Sequence, residues 1–117
     1  MAKADQFAEA ASLFAEDAQL SGELSDAYVT LAIHSGIASS DVLSGLRTGR
    51  YSGGESHAEA VSLLRTADPT ASKHLARLLA MKASAGYSHR PSSKDDVRKA
   101  ERAHRALLEQ ARQELRP

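Results

Sequence analysis

Residues 23–47 constrain this chain more than any other stretch. They read as one helix of roughly seven turns that is apolar almost all round, bounded by Gly49 as its C-terminal signal. One stripe is Val29, Ile33, Ile37 and Leu43. A second is Leu24, Ala27, Leu31, His34, Ala38, Asp41 and Gly45. A helix apolar on several sides belongs at the centre of a bundle. The small residues Ser35, Gly36, Ala38, Ser39 and Ser40 let a neighbour approach it closely. A chain of 117 residues has few other helices to cover such a surface, so a homodimer is expected, with one stripe paired across a two-fold axis.

Four further helices are expected around this one. The first runs from about Ala4 to Leu20, with Phe7, Ala11, Phe14 and Ala18 on one face, and Ser21-Gly22 ends it. Ser56-His57-Ala58-Glu59 reads as a capping box opening a short helix from His57 to about Thr66, facing inward with His57, Ala60, Val61 and Leu64. Asp68-Pro69 opens the next, Asp as N-cap and Pro at the first helical position. It is expected to reach about Ser84, to stop at Gly86, and to bury Ala71, Leu75, Leu78 and Leu79. The last helix starts near Ser93, with Asp95 and Asp96 where acids favour the helix dipole. Its seam is Val97, Ala100, His104, Leu107, Ala111 and Leu115. Aromatics are 4% of the chain and Trp is absent, while the abundant Ala, Leu, Glu and Arg are good helix formers. The fold class is therefore all-α: an antiparallel four- or five-helix bundle forming a single domain over residues 1–117.

The absence of Cys excludes disulfides, thiol nucleophiles and Cys-based zinc sites. The N-terminal residues lack the apolar core of a signal peptide, and no apolar run approaches the roughly 20 residues of a membrane span. A soluble, cytoplasmic protein with no membrane partner is expected. The net charge is zero, but residues 1–71 carry 4 Lys+Arg against 10 Asp+Glu, and residues 72–117 carry 11 against 5. Either the late helices offer a basic face to an anionic partner, or acidic and basic helices lie against each other.

Three histidines, His34, His57 and His104, fall on apolar faces by helical arithmetic. His34 and Asp41 are two turns apart on one face, expected as a buried polar network or as the lining of a cleft. Glu101 and His104 form the only Glu-x-x-His; a bundle metal centre needs a second, so neither a metal nor a cofactor is expected. The loop containing Gly53 and Gly54 precedes a helix N-terminus, where backbone N–H groups, Arg47 and Arg50 would hold a phosphate. The alternative is that these glycines simply form the loop.

The run Ala32-Ile33-His34-Ser35-Gly36-Ile37-Ala38-Ser39-Ser40-Asp41, a Gly/Arg loop, then His57-x-x-Ala60-Val61-x-Leu63-Leu64, and a late Leu-rich helix followed by Tyr87 in a loop, together resemble the HEPN superfamily. The resemblance spans roughly residues 22–90 and looks closest to the actinobacterial stand-alone domains. It implies a small helical bundle, often dimeric, partnered by an antitoxin or a nucleotidyltransferase. In catalytic members it further implies metal-independent RNA cleavage by an Arg and a His with four to six residues between them. Two pairs fit that spacing: Arg50 with His57, and Arg98 with His104. The second pair lies on one helix, where six positions turn the side chains about 120° apart. The first has its Arg in a loop and its His at a helix start, so the two side chains can converge. The competing expectation is a catalytically inactive interaction module.

Overall fold

The computed structural model describes residues 1–20, 22–50, 56–87 and 90–116. The regular elements among them are all helices: α1 (Ala2–Leu20), α2 (Ser25–Thr48), α3 (His57–Ala67), α4 (Pro69–Ala80), α5 (Lys82–Tyr87) and α6 (Lys94–Leu115). Local chemistry sets most of the boundaries. Ser56 Oγ accepts the Glu59 N–H at 3.1 Å and starts α3. Asp68 accepts the Ala71 N–H at 3.0 Å, with Pro69 opening α4. Ser93 and Asp96 form a reciprocal capping box at the head of α6, both bonds 3.0 Å. Gly49 closes α2 in the left-handed region, φ 71°, its N–H on the Gly45 carbonyl, a conformation that costs glycine little.

One expected helix is two. The chain breaks at Met81, whose N–H reaches back to the Leu78 carbonyl at 3.1 Å, and resumes as α5, which passes through Gly86 and includes Tyr87. Gly86 is thus no stop and Tyr87 is not in a loop. The residue types around Met81 carry no breaker signal.

Two contacts fix the direction of α6 against α2. Ser92, just before α6, binds Asp26 in the first turn of α2. Arg47 in the last turn of α2 binds Glu114 at the end of α6. The two longest helices therefore lie side by side and parallel, against the antiparallel expectation. The reason is topological: α3, α4 and α5 intervene and return the chain to the level where α2 began, as a long crossover does in other bundles. The pairs α1/α2 and α3/α4 are antiparallel, as expected.

In α2, the buried residues are Ser25, Tyr28, Val29, Ala32, Ile33, Ser35, Gly36, Ser39, Ser40, Leu43 and Ser44. This half-cylinder of small residues admits α1, α4 and α6 at short range. Ser35 Oγ donates to the Ala4 carbonyl of α1 at 3.1 Å. A Cβ on Gly36 would collide with Leu78 Cδ1 of α4 and touch Leu107 Cδ1 of α6, so three helices meet where only glycine fits. All five other helices pack on α2. The arc of α2 away from these contacts is not fully covered: Leu46 remains 50% exposed. The stripe holding His34 and Asp41 lies opposite the buried arc: His34 is exposed and Asp41 only partly buried. His34 is thus not buried as a network between the helices requires, because serines rather than the His/Asp stripe turn inward.

Candidate functional site

The histidines divide sharply by environment. His104 is buried in the α6 seam, 4% exposed. Its Nε2 lies 3.4 Å from Tyr28 Oη, and the rings meet edge to face at 6.2 Å. Burial, with a smaller contribution from the Arg105 charge, lowers the His104 pKa to about 4. Burial, then the Glu101 carboxylate, pushes Tyr28 up to about 12. Both groups are neutral at pH 7. Arg98, by contrast, is well exposed and pairs with Asp95 one turn away at 3.7 Å. The structure does not bring Arg98 and His104 together, and the helical rotation between them is the reason.

His57 is exposed at the first position of α3, not on its inward face. Its Nε2 stands 2.9 Å from Lys82 Nζ at the first position of α5. A lysine ammonium only donates, so the contact suits the tautomer in which Nε2 accepts and Nδ1 carries the ring proton. Lys82 also lines a hollow of about 170 Å³ with Thr30, Ile33, His34 and Gly86. His34 stands at its rim, stacked on Phe7 of α1 with ring centroids 5.0 Å apart and planes at 25°. Lys82 is thus common to both histidines. It was missed in the sequence because its partners lie 25 and 48 positions away; the one available signal was its place just after the Leu-rich stripe of α4.

The other expected site residues have different fates. Arg47 is not open to a phosphate. It binds Glu114 through Nε at 2.7 Å, Asp68 at 3.1 Å and the Ala67 carbonyl at 2.8 Å, locking the end of α2 to the α3–α4 turn and to α6. The hydrogen bond from Arg47 to Glu114 raises the Arg47 pKa further. The Ala71 N–H bond, then Gln110 and Arg47, hold Asp68 below the usual carboxylate range. Arg50 is exposed just past α2, its N–H on Thr48 Oγ1 at 3.1 Å; among the described residues the cation at His57 is Lys82, not Arg50. Gly53 and Gly54 lie outside the described residues. Asp41 makes an interaction of its own. The basic side chains of α6 are largely answered locally: Lys99 by Asp95 at 2.9 Å, Arg105 by Glu101 at 3.3 Å, and Arg112 by Asp5 of α1 at 2.9 Å. Among the described residues, no group of three or more His, Asp or Glu is placed to hold a metal ion. No described helix is long and apolar enough to cross a membrane.

In comparison with known proteins, no family model, no curated protein and no solved structure matches this chain.

Proposed function

We infer that this chain is a HEPN-like domain acting on RNA, and that its phosphate-handling groups are His57 and Lys82. The observation that carries this reading is the 2.9 Å approach of Lys82 Nζ to His57 Nε2 at the heads of two helices. An imidazole beside a cation can cleave RNA without a metal. When the Lys82 ammonium turns from Nε2 onto the phosphate, the freed Nε2 takes the proton from the 2′-hydroxyl as its oxygen attacks the adjacent phosphorus. The ammonium offsets the charge gathering on the phosphorane oxygens and supplies a proton to the departing 5′ oxygen. The products are a 2′,3′-cyclic phosphate and a 5′-hydroxyl end. The sequence resemblance supplies the substrate class, and Lys82 stands where Arg50 was expected.

The test is cleavage of RNA in EDTA by wild type, His57→Ala, Lys82→Ala and Arg98→Ala. Cleavage lost in the first two variants and kept in the third supports the site. Wild type without activity, or activity lost only in Arg98→Ala, removes it.

A second reading, an interaction module, rests on Leu13 and Leu20, which are 76% and 70% exposed on α1 and seven positions apart on one face. A homodimer, an antitoxin or a nucleotidyltransferase would cover them. Light scattering of wild type beside a Leu13→Ser, Leu20→Ser variant tests the homodimer: a dimer that the variant abolishes supports it, and a monomer at every concentration removes it.

A further inference from the structure

We propose that the exposed His34 ring, backed by Phe7, is a stacking platform for one unpaired nucleobase, placed so that the adjoining phosphate reaches Lys82 and His57. The inference rests on the reading of His57 and Lys82 just given and adds a specificity to it. Three observations carry it. The Phe7–His34 stack is close to parallel, at 25° and 5.0 Å, yet His34 remains exposed: one ring face is occupied by Phe7 and the residue still meets solvent. His34 lines a hollow of about 170 Å³ with the apolar Ile33 and the small Gly86, a surface suited to a flat, weakly hydrated ring. The same hollow is lined by Lys82, which touches His57. A base on the platform therefore lies beside the cation and the imidazole that would engage its phosphate.

Aromatic stacking is blind to base identity but demands a base that is out of a duplex. The platform thus selects single strands and loops over paired RNA and tolerates any sequence. Phe7 fixes the His34 ring in advance, so less rotamer freedom is lost when a base arrives.

Binding is measured by fluorescence anisotropy in EDTA, with a labelled single-stranded RNA, the same RNA annealed into a duplex, and inorganic polyphosphate as a probe without bases. Wild type is expected to bind the single strand more tightly than the duplex. His34→Ala is expected to weaken single-strand binding roughly tenfold, within the range that loss of one base–aromatic stack produces. Polyphosphate binding should be unchanged, and His34→Phe should restore the loss. Three results overturn the platform: His34→Ala binding the single strand as wild type does, His34→Ala losing polyphosphate equally, or wild type preferring the duplex. The two readings fail separately. Single-strand binding that needs Lys82 and His57 but not His34 removes the platform alone. Binding that needs His34 but survives Lys82→Ala and His57→Ala removes the phosphate site alone. Wild type that binds no RNA removes both.

Discussion

His57 and His104 occupy opposite extremes within one small bundle. His104 is buried against Tyr28 at the floor of a hollow it shares with Asp5, Ala8 and Glu9 of α1, its Nδ1 without a hydrogen-bond partner among the described residues. His57 sits in solvent at the head of α3 with a lysine on its Nε2. Each has an arginine at the same kind of sequence spacing, and in neither case does that arginine become its partner. Spacing along the chain therefore decides little here, and burial decides much. A neutral, enclosed imidazole contributes to packing and is punished by protonation. An exposed one can take a proton from something that arrives once the lysine beside it turns onto the phosphate.

The largest consequence concerns acid. The unfolded chain protonates His104 near its ordinary pKa of 6.5, whereas the folded chain resists until about 4. As pH falls through that window the unfolded state takes up the proton first, so stability drops; above about pH 7 the group has no effect. The expected swing is up to about 3 kcal/mol. Urea unfolding from pH 7.5 to 4 should show the slope in wild type and in His57→Gln, and a much flatter line in His104→Gln. Equal slopes in all three would place the acid sensitivity elsewhere.

Gly36 sharpens the contrast from the packing side. Alanine there must displace the buried Leu78, at a cost of roughly 1–3 kcal/mol for overpacking a filled core. A thermal melt of Gly36→Ala at or above the wild-type temperature would show that α4 yields more easily than its burial implies. Arg47→Ala is expected to cost less, about 1 kcal/mol, because its ion pairs are partly solvated. Most of that loss should come from α2 and α6 separating at their ends, read as faster amide exchange near residues 45–48 and 110–115.

The bundle itself was legible in the sequence, and the reasons are local. Caps at Ser56, Asp68 and Ser93 and the left-handed Gly49 are decided by residues within a turn of each other; all four bound helices as expected, but the reciprocal capping box forms at Ser93 and Asp96 rather than at Ser56 and Glu59. The inward face of α2 was less legible. Counting Leu, Ala and His as one apolar stripe placed His34 inside, whereas the helix buries Ser25, Ser35, Ser39, Ser40 and Ser44. Residue size, not hydrophobicity, governs how near α1, α4 and α6 can come. The parallel pairing of α2 with α6 follows from long-range contacts between Asp26 and Ser92 and between Arg47 and Glu114, which no periodicity encodes. The site was half legible: His57 and His34 were candidates, but Lys82 joins them only once α5 folds back along α2.

At the small end, His57→Ala and Lys82→Ala are expected to shift stability by no more than about 0.5 kcal/mol, as surface substitutions that leave the Ser56 cap and the core intact do. A loss of several kcal/mol in either would mean that the pair holds α3 to α5 rather than serving a substrate.

The sharpest distinction between the two environments is which histidine meets the ligand. The side-chain signals of His34, His57 and His104 can be followed by NMR while a short single-stranded RNA is added in EDTA at pH 7. The account predicts that His57 and His34 shift with added RNA and that His104, enclosed by Tyr28 and α2, stays in place. Movement of His104 while His57 and His34 remain still would contradict it.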